Sequence, residues 1–344
     1  MMHRVLILFT LLTTIAFGQQ PPQLNTAVVD ADGTTRVTRV VPVPGTISAE
    51  AKKYLSRPYS DHEPAATPEE NRAHANAWQE QLAKDMQSTY PTTIEKSTIA
   101  GVPVRIITPA VVAPEKKDRI LINVHGGGFQ ADWGSVAETI PIASLTKTKV
   151  VAILYRLSPE NKFPAAVDDA VAVYKELLKT HKPQQMVLYG TSAGAILTGE
   201  VAVKIKQLGL PEPAALGIFS GNGDMGDFGD SIAIYGLHGL SGTIDQPGTK
   251  HLDDYSGGID KHDSVLSPLY ADVKGLPSTL FLTSTRDLLL SGTVLLHKAF
   301  LHAGVPAELV VWDALPHAFW NEYKMPEAIE ARHMMAEFFD RHLQ

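Results

Sequence analysis

Chemistry in this chain centres on Gly190-Thr191-Ser192-Ala193-Gly194, a Gly-x-Ser-x-Gly pentapeptide in a sequence of 344 residues. A serine hydroxyl is a weak nucleophile. It needs a base, and the base needs an acid to orient it. When such a pentapeptide joins a strand to a helix, the sharp turn lifts the serine clear of the sheet. Bulky residues two positions either side would then clash with the neighbouring strand and helix, which suits glycine. The flanks provide that context. Met186-Val187-Leu188-Tyr189 reads as a buried strand, and Ala195, Ile196, Leu197, Val201, Ala202, Val203 and Ile205 recur at helical spacing. Ser192 is therefore placed to attack a carbonyl carbon.

An acid and a histidine are expected downstream, each on a loop that follows a strand. Asp287 lies just past an expected strand at 278–284, and His317 just past one at 307–312. Asp313 is a rival acid on the same loop as His317. Such a histidine base implies an acid limb, with the rate falling as the imidazole protonates. Acyl transfer also needs donors for a negative oxygen. The Ala193 amide, at the start of the helix, would supply one, and the loop Gly126-Gly127-Gly128 would supply others. A phosphate-binding loop would instead need Gly-x-Gly-x-x-Gly or Gly-Lys-Ser/Thr, and neither pattern is present. His125, just before the glycines, is expected to pin the loop. The aromatics Phe129, Trp133, Phe219, Tyr255 and Trp320 are candidates for lining an acyl or alcohol pocket. The loop of residues 221–227 lacks EF-hand spacing and reads as an entry to an insertion rather than a calcium site.

The elements that must hold these residues alternate in type. Strands are expected at 93–99 and 102–107, with a turn at Ala100-Gly101, then at 118–123, 150–155, 186–189, 214–219, 278–284 and 307–312. Helices are expected at 164–179, after the pentapeptide, at 291–303 and at 327–342. That rhythm implies an α/β class with a mostly parallel sheet covered on both faces. Residues 221–266 break it and read as a cap inserted into a catalytic domain of residues 93–344. Residues 19–92 are polar and interrupted by proline, and read as an arm that shares in the cap. Within that arm, Ser48 opens a short helix. Thr67-Pro68-Glu69-Glu70 opens a longer one, with an N-cap, a first-turn proline and a capping-box glutamate.

Composition narrows the partners. The formal charge is -7 and no long basic tract occurs, which argues against nucleic acid. Cysteine is absent, so disulfides, thiolate chemistry and Cys-ligated metals are excluded. Met1 to Arg4 form a positive start, residues 5–17 an apolar run, and Ala16-Phe17-Gly18 a small-residue site before Gln19. Residues 1–18 are thus expected to be a signal peptide and the protein to be secreted or periplasmic. The run is shorter than the roughly 20 residues of a membrane span, so stable membrane insertion is not expected. A homodimer through an edge strand fits the expected sheet.

Several motifs together resemble the hormone-sensitive-lipase branch of the α/β-hydrolases. They are His125-Gly126-Gly127-Gly128-Phe129, Tyr155-Arg156-Leu157-Ser158-Pro159-Glu160, Phe163-Pro164-Ala165-Ala166-Val167-Asp168-Asp169, the pentapeptide, and the surroundings of Asp287 and His317. The resemblance covers roughly residue 94 to the C-terminus. It implies an eight-stranded α/β-hydrolase fold and hydrolysis of carboxylic esters, usually short-chain ones, without metal or cofactor. It also implies roles: Ser192 as nucleophile, His317 as base, Asp287 as its orienter, and Gly127, Gly128 and Ala193 as oxyanion donors. Thr191 and Ala195 depart from the family's usual Asp and Gly, and Thr285-Arg286-Asp287 departs from its usual acid motif. Both variants are similar to a sub-branch labelled monoterpene ε-lactone hydrolases, which makes a lactone an alternative substrate. Arg156 and Glu160 are expected to be structural, paired with backbone or with each other. A third reading is a non-catalytic binding protein on the same scaffold, but such proteins typically lose the base.

Overall fold

A computed structural model describes residues 26–57, 67–235 and 250–344 of the protein. The expected signal peptide and part of the expected cap insertion lie outside those residues. The chain divides into two compact units, residues 1–44 and 45–344. In the first, β1 (Thr26–Val29) pairs antiparallel with β2 (Thr35–Thr38). Sequence reasoning missed this hairpin. Both strands are exposed along their whole length, so no apolar alternation marks them. The turn is set locally instead, by Gly33 at φ 90° and by the Thr34 N–H donating to Asp32 Oδ1 at 2.9 Å.

The second unit runs α1 (Ala49–Leu55), α2 (Pro68–Gln87), β3 (Thr92–Ile99), β4 (Val102–Pro109), β5 (Ile120–Val124), α3 (Ile140–Thr146), β6 (Lys149–Ile153), α4 (Ala165–Leu177), β7 (Met186–Thr191), α5 (Ala193–Gln207), β8 (Ala215–Phe219), α6 (Asp230–Tyr235), α7 (Lys250–Ser256), β9 (Ser278–Arg286), α8 (Leu290–His302), β10 (Ala307–Pro316) and α9 (Pro326–His342). Its sheet has eight strands in the order β10-β9-β8-β7-β5-β6-β4-β3. β4 is antiparallel to both of its neighbours, and every other pairing is parallel. β5, β7 and β8 are buried throughout, as parallel strands covered on both faces should be.

The strand period of two sorts side chains into two cores. Ile122, Val151, Leu188, Ile218 and Phe281 face one side, where α4, α5 and α8 pack. Leu121, Val150, Val187, Tyr189, Phe219 and Leu282 face the other, with α3 and α9. α1 and α2 join this second core through Ala51, Leu82 and Met86. The expected capping box of α2 is present: the Glu70 N–H donates to Thr67 Oγ1 at 3.2 Å, and the Thr67 N–H to Glu70 Oε2 at 3.3 Å. Arg156 and Glu160 do not pair with each other. Arg156 bonds Asp169 at 3.0 Å, while Glu160 takes a 2.6 Å bond from Arg72 of α2. The reason is that Asp169 sits on the first turns of α4, directly above the Arg156 backbone, whose N–H it also accepts at 2.9 Å.

The elbow between β7 and α5 is the tightest point of the sheet. A side chain at Gly190 or Gly194 would overlap the Val124 carbonyl oxygen of the adjacent strand. Gly190→Ala and Gly194→Ala should each destabilise the fold by about 1–3 kcal/mol, read as a lower urea midpoint at unchanged slope.

Candidate active site

Ser192 sits between β7 and α5 with φ 60° and ψ -124°, a conformation rarely adopted by a residue with a side chain. Its N–H donates to the Phe219 carbonyl of β8 at 3.0 Å, which holds the turn. Its neighbours Thr191 and Ala193 are buried, but Ser192 itself is half-exposed. The strained turn therefore presents one hydroxyl at the carboxyl ends of the parallel strands, where open α/β sheets bind ligands.

The loop after β5 faces it. Gly127 has φ 129° and Gly128 φ 60°. Among the described residues, the amides of Gly127, Gly128 and Ala193 donate to no protein acceptor. All three positions expected to hold a negative oxygen therefore have an N–H to offer. His125 holds the loop from below. Its ring stacks on Tyr155 at 4.3 Å, its Nδ1 bonds the Gly126 carbonyl at 2.9 Å, and the Tyr155 hydroxyl donates to its own carbonyl at 2.7 Å. Asp132 lies 3.7 Å from His125 and 3.3 Å from Arg105. Burial pushes the Asp132 carboxyl up, but its neighbours His125, Arg105 and Ser135 outweigh it and hold the group below its ordinary range.

The acid and base meet. His317 Nδ1 lies 2.8 Å from Asp287 Oδ1. Asp287 is fully buried, which alone would favour the neutral acid. The contact with His317, the Ser220 hydroxyl and the Leu289 N–H overcome that penalty and hold the carboxyl below its ordinary range. Thr283 Oγ1 adds a donor at 2.8 Å. The rival, Asp313, is exposed and takes its bonds from Thr46 and Thr285 at 2.8 and 3.2 Å, away from the imidazole.

β10 is three strands away from β7, roughly 14 Å at the usual strand spacing, so its loop must travel to reach the serine. It does so through a break in register between Trp312 and Pro316, with Ala314 and Ala318 both at positive φ. Trp320 then donates from Nε1 to Thr191 Oγ1 at 3.2 Å, one residue from the nucleophile position. His317 is half-exposed beside this anchor. Among the described residues no hydrogen bond joins Ser192 Oγ to His317, and such bonds often tighten only when substrate binds.

The aromatics expected to line a pocket are mostly buried. Phe129 and Tyr255 are buried and stacked on each other, 3.6 Å between centroids and 6° between planes. Tyr255 also donates to Glu200 Oε2 of α5 at 2.6 Å. Phe219 is core, packed among Tyr189, Phe339 and Trp320. Trp320 is buried and lines only a cavity of about 10 Å³ behind the elbow, roughly one water in size. Trp133 packs on Trp78 and donates to Asn71 of α2 at 3.1 Å. These rings bond elements of the fold to one another. Sequence reasoning also missed Ser220 and Thr283. Their positions beside Asp287 follow from strand pairing, and only the placement of Ser220 at the end of β8 hinted at it.

Removing Ser220 should expose the cost of burying Asp287. A carboxyl depressed by its partners stabilises the fold above its unfolded pKa, and that contribution is lost as pH falls through the folded value. Ser220→Ala should therefore lower stability by about 1.5–3 kcal/mol at pH 7. The deficit should shrink as pH falls below about 4, in urea unfolding followed across that range.

Comparison with known proteins agrees with this geometry. A family model described as the alpha/beta hydrolase fold matches residues 121–321. An esterase of Acinetobacter venetianus is 30% identical over 242 residues, covering 66% of this chain and 77% of that protein. The crystal structure of another esterase superposes with a TM-score of 0.77 at 31% identity, over 89% of this chain and 98% of its own. An esterase from the bacterial hormone-sensitive lipase family gives 0.73 at 28% identity, over 82% of this chain and 94% of its own. The chain belongs to the α/β-hydrolase fold family, with hormone-sensitive-lipase-like esterases as its structural neighbours.

Proposed function

We propose that this protein is a serine carboxylesterase acting on esters with short to medium acyl chains. The observation that carries the reading is the 2.8 Å contact between His317 and the buried Asp287, in a sheet whose strained elbow presents Ser192 at the carboxyl ends of its strands. Esterases among its relatives support the substrate class. In the first half-reaction Ser192 Oγ attacks the ester carbonyl while His317 Nε2 takes its proton. The tetrahedral oxygen is held by the amides of Gly127, Gly128 and Ala193. His317 then passes the proton to the departing alcohol, leaving an acyl-enzyme. Water attacks that acyl group through the same base and releases the acid. Asp287 holds the imidazole with Nδ1–H directed away from the serine, so that Nε2 is free to accept.

A lactone is the second reading, favoured by Thr191, Ala195 and the Thr285-Arg286-Asp287 context. A lactone is an ester, and the same residues would open it. A non-catalytic role is disfavoured because the base is retained and paired. The N-terminal arm and the insertion of residues 221–266 are proposed to cap the site. The first 18 residues are proposed as a signal peptide that directs the protein to the periplasm or outside the cell.

Ser192→Ala should lower turnover of p-nitrophenyl acetate by at least about 10³-fold without changing the unfolding midpoint, and should abolish labelling by a fluorophosphonate. Residual turnover within tenfold of the parent would sink the assignment. A panel of esters and lactones matched in size, ranked by kcat/KM, separates the two substrate readings.

A further inference from the structure

Glu138 is a buried carboxyl with no part in the mechanism so far. It lies on the segment between the glycine loop and α3, and two glycines make room for it. A methyl at Gly134 would overlap its carboxyl, and one at Gly126 would come within 3.3 Å of Oε1. The Gly126 N–H donates to Oε1 at 3.0 Å, and Asn123 Nδ2 of β5 donates to Oε2 at 2.9 Å. Thr191, one residue before Ser192, lines the same small cavity as Glu138. The Tyr189 hydroxyl of β7 holds the Glu138 main-chain carbonyl at 3.1 Å. Glu138 thus bonds the strand under the loop, the first glycine of the loop and Tyr189 of the strand that leads into the elbow.

We infer that Glu138 is a positioning residue that ties the oxyanion loop to the nucleophile elbow and so fixes the angle at which the Gly127 and Gly128 amides face Ser192. The inference rests on the reading of those amides as oxyanion donors. Loop and elbow also pack directly, since a methyl at Gly126 would lie 2.8 Å from the Thr191 carbonyl oxygen and one at Gly194 2.8 Å from His125. Glu138 adds the polar link, from the Gly126 amide through its side chain and main-chain carbonyl to the Tyr189 hydroxyl of β7.

The charge of the group matters as well as its bonds. Burial pushes Glu138 up to about 8, against the lowering effect of Asn123 and the Gly126 amide. It is the neutral acid at pH 7. Ionisation would put a negative charge under the loop whose amides receive the negative oxygen, opposing its formation. Asp132 is held low, while Tyr155 and Tyr189 are raised well above their ordinary value. Arg105 and His125 sit against Asp132, and Arg332 of α9 shares the small cavity behind the elbow. The rate of the parent enzyme should therefore fall as pH rises through about 8.

The test measures kcat and KM for p-nitrophenyl acetate from pH 6 to 10 in the parent, Glu138→Gln and Glu138→Ala, with thermal unfolding and fluorophosphonate labelling of each. Glutamine keeps an acceptor and cannot ionise. It should retain kcat within about tenfold and lose the alkaline fall. Alanine should lower kcat by about 10²-fold, the scale of one lost oxyanion donor, with KM within threefold. The Glu138→Gln fold should also lose part of the pH dependence of stability. A carboxyl raised in the folded state stabilises below its unfolded pKa, and that stability is lost as pH climbs to the folded value. The inference is overturned by a folded Glu138→Ala protein with kcat within threefold of the parent. It is overturned equally by an alkaline fall that survives in Glu138→Gln, or by a flat parent profile between pH 7 and 9.5; these two hold even if the alanine variant does not fold. A parent that neither turns over ester nor takes the label would instead sink the esterase reading, and this inference with it.

Discussion

The backbone at Ser192 adopts a conformation that a serine would not choose, and the rest of the site depends on keeping it there. A positive φ with extended ψ costs of order 1–3 kcal/mol. It persists because both flanking glycines press the turn against the carbonyl of Val124 on the adjacent strand. The Phe219 carbonyl, on the strand at the other side, accepts the Ser192 N–H. The turn is therefore clamped between β5 and β8, the two neighbours of β7. Any shift in the central sheet would be felt first at this serine, because packed interiors transmit strain instead of absorbing it. The long buried runs of β5, β7 and β8 are in that sense part of the proposed site.

The same clamp explains where the partners have to come from. The glycine loop leaves β5, so its amides start next to the elbow and need only to be held at the right angle. Asp287 leaves β9 and is met by Ser220 from the end of β8, so the carboxylate is bound by a strand between it and the nucleophile. His317 starts farthest away, on β10 at the sheet edge, and reaches inward through a loop with two residues at positive φ. The Trp320–Thr191 bond fastens that loop to the elbow. Distance from the elbow along the sheet and irregularity of the connecting loop rise together.

Much of this could be read from residue order. The central strands appear as unbroken apolar runs, and the acid and base each follow such a run, which marked out Asp287 and His317. Boundaries moved by a few residues: the last strand extends to Pro316 through its break in register instead of ending at Trp312. α3 went unread because Ile140-Pro141-Ile142-Ala143 is buried on every side and has no polar face to give it a helical period. The β1–β2 hairpin went unread for the opposite reason, having no buried face. Composition does not tell which ring a ring will meet. Phe129 stacks on Tyr255, far along the chain, and that contact exists only once α7 is folded over the loop. Ser220 and Glu138 were invisible for a related reason. A hydroxyl or carboxyl becomes part of a site through the polar groups aimed at it, and those arrive from other strands.

The two buried carboxyls near the elbow show how environment assigns chemistry to identical groups. Asp287 meets an imidazole and three hydrogen-bond donors, enough to hold a charge in a place water does not reach. Glu138 meets amides but no cation, since Arg105 and His125 are already engaged by Asp132. Uncompensated burial then favours its neutral form. The division has a logic in terms of the reaction. In the proposed mechanism charge is useful beside the imidazole, which would become positive on taking the serine proton. It would be harmful beside the glycine amides, where the new charge is negative. Sites that run acid–base chemistry near neutrality commonly drive paired titratable groups apart in this way. Here the separation follows from which side of the serine each carboxyl occupies.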